Sequence, residues 1–258
     1  VDKIIMIDQT TDSDSVKLGG SRFAIVCREC WRLARPILIA LFLFFTVRAL
    51  VLEAFKIPTS SMEKALLPGD FVLVNKAVFG SSNLFGLPGV PGWEDPKRRD
   101  VVVFQPPHDP ERNYVKRVIG LPGDTVEMRD GDVFINGMVL VEDYLENHTK
   151  ESLDVRHLDM DWQKEHIVYA DTTQPDIRQS TYRPSRDNWG PLYVPGHKFF
   201  VLGDNRDDSE DSRYWGFVSR DSMEGKAWLI YYSVEPGYED FRSWVRSIRW
   251  ERVARRIE

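Results

Sequence analysis

The stretch IPTSSMEKALLPGD, residues 57–70, sets three hydroxyls, Thr59, Ser60 and Ser61, beside one amine, Lys64. A hydroxyl attacks a carbonyl efficiently only when a base takes its proton, so the chemistry on offer is nucleophilic acyl transfer. The open question is which group is the base. Ser61 and Lys64 stand at the Ser-x-x-Lys spacing that β-lactamases and penicillin-binding proteins use. That motif needs a helix to bring both side chains to one face, and here Pro68-Gly69 follows within a turn. Its companion strings, Ser-Asp-Asn and Lys-Thr-Gly, do not occur. The match is accidental, and Lys64 is expected to be solvated. His108, His148, His157, His166 and His197 all lie in polar or turn-rich stretches without a Gly-x-Ser-x-Gly elbow.

The remaining candidate base is Lys116 in NYVKRVIGLPGD. In a strand, Tyr114, Lys116 and Val118 share one face while Val115, Arg117 and Ile119 take the other. An amine between an aromatic and a β-branched side chain on a core-facing surface is desolvated, which disfavours the ammonium. From a pKa of about 10.4, only roughly one lysine in 2,500 is neutral at pH 7. Bringing it to neutrality at that pH takes about 4.6 kcal/mol, within the reach of burial alone. A neutral amine so placed can deprotonate a serine, the Ser-Lys variant of triad logic.

Taken in order, IPTSSM, NYVKRVIGLPGD and VLGDNRDDSEDSRYWGFV resemble the bacterial type I signal peptidases, over roughly residues 31–136 and 194–232. These are membrane-anchored serine endopeptidases that remove signal peptides from exported preproteins. The resemblance implies Ser61 as nucleophile and Lys116 as general base. It implies an oxyanion hole from Thr59 and the Ser61 N–H, an orienting hydroxyl from Ser209, and a supporting ion pair of Asp211 with Arg213. Gly203, Asp204, Asn205, Arg206 and Asp207 build the turn. Phe55, Ile57, Met62, Leu66, Tyr114 and Val115 fall where the family lines pockets for small residues, usually alanine, at the first and third positions before the cut. The chain departs from the family where Pro-Thr-Leu commonly follows Ser-Met: here Glu63-Lys64-Ala65-Leu66 puts two charges just past the nucleophile. A specialised or self-processing relative, and a non-catalytic membrane-tethered peptide-binding module, are the alternative readings.

These residues need a scaffold. DFVLVNK (70–76), VVVF (101–104), NYVKRVIG (113–120), KFFVLGD (198–204) and KAWLIYYS (226–233) read as short strands. Asp130-Gly131 and Asn136-Gly137 mark hairpins. The fold expected is mainly β, an antiparallel catalytic core over 55–142 and 194–233, with an irregular insertion at 143–193. Ahead of it, residues 1–30 read as a short cytoplasmic tail and 31–54 as a transmembrane anchor. The uninterrupted apolar run there, Ile37–Val47, is shorter than the roughly 20 residues a bilayer needs. If Arg48 snorkels, Pro36–Leu52 extends it. Arg22, Arg28, Arg32 and Arg35 before the run, against Lys56 and Lys64 after it, place the N-terminus in the cytoplasm and the catalytic part outside the cytoplasmic membrane. The loop 78–93, with Phe79, Leu84, Phe85, Leu87 and Trp93, is expected to dip into the lipid interface. Residues 234–258 read as an amphipathic basic helix. A net charge of -6 gives no footprint for nucleic acid. Cys27 and Cys30, both ahead of the apolar run, read as incidental thiols, so no metal and no cofactor are expected. The partners expected are preproteins and the lipid bilayer.

Overall fold

The computed structural model describes residues 15–80, 83–84, 87–88, 92–145, 159–168 and 181–258, in two units divided between Ala49 and Leu50. Among the described residues the first unit is built by the helix α1 (Ser15–Leu50), with Pro36 inside it. It begins well within the expected tail and ends before the expected anchor does. Ile37, Phe42, Phe44 and Phe45 are among its exposed side chains. Among the described residues, no helix is long and apolar enough to cross a membrane.

The described strands of the second unit all pair antiparallel. Its strands are β1 (Leu52–Lys56), β2 (Asp70–Asn75), β3 (Asn83–Leu84), β4 (Leu87–Pro88), β5 (Val101–Phe104), β6 (Tyr114–Gly120), β7 (Thr125–Arg129), β8 (Asp132–Ile135) and β9 (Met138–Val139). After the insertion come β10 (Trp189–Tyr193), β11 (Lys198–Leu202), β12 (Val218–Ser219), β13 (Met223–Ser233) and β14 (Arg255–Arg256). The large sheet runs β1-β2-β13-β5-β6-β11-β12, with β14 added on β13. A second sheet runs β10-β7-β8-β9, and β3 and β4 form a small hairpin. Val101 to Phe104 are all buried, as a strand covered on both faces requires. Register shifts between Ala227 and Leu229 and between Ile230 and Tyr232 let the eleven-residue β13 coil between β5 and β2. The two expected hairpins form where Asp130-Gly131 and Asn136-Gly137 adopt positive φ at both positions.

Several expectations need correction. Residues 52–54 are not anchor: they pair with β2, Leu52 against Asn75 and Ala54 against Leu73. The insertion is not wholly irregular, because β10 pairs with β7 and buries Trp189 and Leu192 in its core. Phe79 does not face lipid; it is buried beside Val102 and Phe104, with the Arg220 guanidinium over its ring. In that loop Trp93 is exposed, whereas the side chains of Leu84, Phe85 and Leu87 lie outside the described residues.

The C-terminal segment is not one helix. After the short helix α2 (Ser212–Trp215) earlier in the chain, this segment holds a six-residue helix α3 (Phe241–Arg246), a 3-10 turn at Trp250–Arg252 and then β14. The reason is that its arginines are structural donors. Arg249 reaches the carbonyls of Pro68 (2.5 Å) and Val234 (3.0 Å), and Arg252 pairs with buried Asp70 and donates to the Ala65 carbonyl. A helix with those arginines in water would forgo all of these bonds.

Candidate active site

Ser61 opens a run of turns between β1 and β2. Met62 and Leu66, both fully buried, pack with Val72, Val74 and Val103 and fix the loop to the sheet. Burying each such side chain contributes about 2 kcal/mol. These two residues are therefore core rather than pocket lining. The expected pocket residues Phe55, Ile57, Tyr114 and Val115 do line a cleft of about 390 Å³, which also holds Thr59, Ser61 and Lys116. Asn205 ties the loop to the turn after β11, its N–H donating to the Ser61 carbonyl at 3.1 Å.

Lys116 comes from the middle of β6, with β5 paired on one side and β11 on the other. Its side chain is only 4% exposed, and Nζ donates to Ser61 Oγ at 2.7 Å. Lys64, by contrast, points its amine elsewhere, to the carbonyls of Asp143 and Leu145. Burial disfavours the Lys116 ammonium and brings its pKa down to about 8, with Arg213 adding to the drop while Asp211 and Glu210 oppose it. About one amine in ten is then neutral at pH 7. Deprotonated, the amine can accept the Ser61 proton across the same distance. Thr59 Oγ1 stands 3.4 Å from Ser61 Oγ, and among the described residues nothing accepts from the Ser61 N–H. A hydroxyl and a free N–H beside the nucleophile can bond a developing oxyanion.

Behind the amine lies a set of buried charges. Arg213 Nε and Nη2 both bond Asp211, which also accepts from the Gly203 N–H at 3.0 Å, and both side chains are fully buried. Burial alone would raise the Asp211 pKa, but Arg213 and these hydrogen bonds hold it below the ordinary carboxylate range. The pairing of Asp211 with Arg213 is thus present. Ser209 is buried next to them, and among the described residues its Oγ has no hydrogen-bond partner. The bond from Ser209 to the lysine amine is not formed here.

Sequence reasoning passed over three contributors. Arg117, next to the candidate base, forks onto Asp204 with two bonds of 2.7 Å, both side chains 1% exposed. Its place on the strand face opposite Lys116, and an Asp in the turn, were the available signals. Asp208 and Glu210 line the cleft, Asp208 accepting from Ser60 Oγ at 2.5 Å. Nothing in a run of acidic turn residues separates these two from their solvated neighbours.

The sequence profile described as "Signal peptidase, peptidase S26" matches residues 30–232. The chain belongs to this family. It is 32% identical to Signal peptidase I of Buchnera aphidicola subsp. Baizongia pistaciae, over 84% of this chain and 80% of that protein. It is 32% identical to Signal peptidase I of Rickettsia akari, over 89% and 92%, and 38% identical to that of Pseudomonas fluorescens, over 75% and 69%. Family membership makes the chain a peptide hydrolase that cleaves signal peptides.

Proposed function

We propose that Ser61 and Lys116 carry this hydrolysis, on exported preproteins held as extended strands in the cleft. Neutral Lys116 takes the Ser61 proton as Oγ attacks the scissile carbonyl carbon. The Thr59 hydroxyl and the Ser61 N–H bond the oxyanion, and the resulting Lys116 ammonium protonates the departing amine. In the second half, Lys116 deprotonates a water that attacks the acyl-enzyme ester, and the proton returns to Ser61. Phe55, Ile57, Tyr114 and Val115 shape shallow pockets that favour small residues before the cut, and strand addition supplies main-chain bonds. The observation that carries this reading is the 2.7 Å contact between Ser61 Oγ and a buried amine whose pKa lies at about 8. Asp211 and Arg213 surround the amine electrostatically, and Ser209, a buried hydroxyl without a partner among the described residues, is the group proposed to orient it.

The apolar side chains of α1 hold the chain to the cytoplasmic membrane, with the arginines ahead of them inside and the catalytic sheet outside. Support comes from the exposure of Phe42, Phe44 and Phe45 and from the arginine bias before the run.

The deciding experiment incubates the detergent-solubilised chain with a preprotein and compares Ser61→Ala and Lys116→Ala with wild type. Both variants should lose at least about a thousandfold in kcat. Cleavage persisting in Lys116→Ala would exclude it as the base.

A further inference from the structure

Lys64 sits three residues past Ser61, in the same loop, and has no role in the chemistry above. Its backbone is nevertheless unusual: φ is +83°, in the left-handed region that a side chain with a Cβ rarely adopts. Its side chain is unusual too. Although exposed, Nζ donates to two backbone carbonyls 79 and 81 residues away in sequence, Asp143 at 3.0 Å and Leu145 at 2.7 Å.

The receiving segment is itself held to the catalytic centre. The Tyr144 hydroxyl donates to Glu142, the Tyr144 ring lies 4.1 Å from the Arg117 guanidinium, and Arg206 pairs with Glu142. Arg117 adjoins Lys116 and grips Asp204, and Arg206 Nε bonds the Gly203 carbonyl. Between the Lys64 side of the nucleophile loop and this assembly lies a cavity of about 540 Å³, lined by Lys64, Ala65, Arg117 and Tyr144. Met62 and Leu66 pin the loop from the core, and Asn205 pins it at Ser61, but packing cannot restrain it across a void.

We propose that Lys64 is a positioning residue for the nucleophile: its ammonium straps the Ser61 loop across this cavity to Asp143 and Leu145. The strap rests on the reading of Ser61 and Lys116 as the reacting pair. It also gives a purpose to the charged departure from the family pattern, since Lys64 spans a gap that no apolar residue of similar size could bridge by hydrogen bonding. A strap of this kind sets the register of Ser61 Oγ against Lys116 Nζ. Reaction geometry is steep in such distances, and a misplacement of about 1 Å can cost on the order of a hundredfold.

The test uses the full chain in detergent with a peptide substrate, and compares Lys64→Met, Lys64→Gly and Lys64→Arg. Lys64→Gly relieves the positive φ while removing the donor, so it separates backbone strain from the strap. Both Lys64→Met and Lys64→Gly should lower kcat about tenfold with KM within about twofold, and Lys64→Arg, which keeps a donor, should recover most of the loss. Wild-type kcat in Lys64→Gly would overturn the proposal, as would an equal loss in Lys64→Arg and Lys64→Met. So would a change confined to KM. Ser61→Ala run alongside distinguishes the two levels. If it stays active the reading of the site fails, whereas its inactivity beside a wild-type Lys64→Gly defeats the strap alone.

Discussion

With Lys116 as the proposed base, a single ionisation governs both rate and stability, and the two respond to pH in ways that can be measured separately. The base must be neutral, so the rate should rise with pH and reach half its plateau near pH 8, where burial has brought the amine. Stability follows the same proton. The folded-state pKa lies below the unfolded value of about 10.4, so between these limits the unfolded chain binds the extra proton and stability climbs as pH rises. Below pH 8 the penalty for burying the ammonium applies in full, about 3 kcal/mol. Lys116→Met should therefore exceed wild type in stability at pH 7, and the gap should close by about pH 10. Urea denaturation at a series of pH values reads it. A gap that does not change with pH would mean that the amine keeps its ordinary pKa in the fold.

The turn after β11 shows how an element positions chemistry through the absence of a side chain. Gly203 reads in sequence as an ordinary turn glycine, yet its φ lies outside the left-handed region. A Cβ there would stand 2.1 Å from Ser209 Oγ and 2.6 Å from the Ser61 carbonyl oxygen. Gly203→Ala must then push apart the nucleophile loop and the turn behind Lys116, lowering activity by about a hundredfold and stability by about 1–3 kcal/mol. Gly196→Ala, where a Cβ meets open space, should match wild type on both counts in a peptide-cleavage assay and a melting curve. The strands around these turns were legible because alternating apolar runs and Asp-Gly or Asn-Gly pairs act locally. Ser61 and Lys116 could be singled out as a candidate nucleophile and base from residue type and strand face, but their pairing, and that of Asp211 with Arg213, was legible only through likeness to a family. What could not be read from sequence arises where distant segments meet: β1 formed by pairing with β2, Lys64 reaching Asp143, and Arg252 turned inward onto Asp70. Hydropathy registers the same arginine whether it faces water or a buried carboxylate.

At the scale of the whole molecule, the proposed membrane contact needs a source of attachment. The chain carries a net charge of -6, so an anionic lipid surface repels it over long range, and attachment has to come from apolar contact. The exposed candidates include a continuous run in α1, where Leu41 and Phe44 stand 46% and 59% exposed; Trp93, Val141, Phe241 and Trp250 are exposed outside it. Leu41→Lys with Phe44→Lys in the full chain should abolish flotation with liposomes of phosphatidylglycerol and phosphatidylethanolamine, because a charge at the centre of a membrane helix costs about 3 kcal/mol. Cleavage of a short soluble peptide by the same variant should be unchanged, since neither residue belongs to the unit that holds Ser61 and Lys116. Wild-type flotation should also withstand 1 M salt, where screening lengths fall to about 3 Å and electrostatic attachment fails. Flotation that survives the double substitution, or wild-type release by salt, would move the membrane contact away from α1.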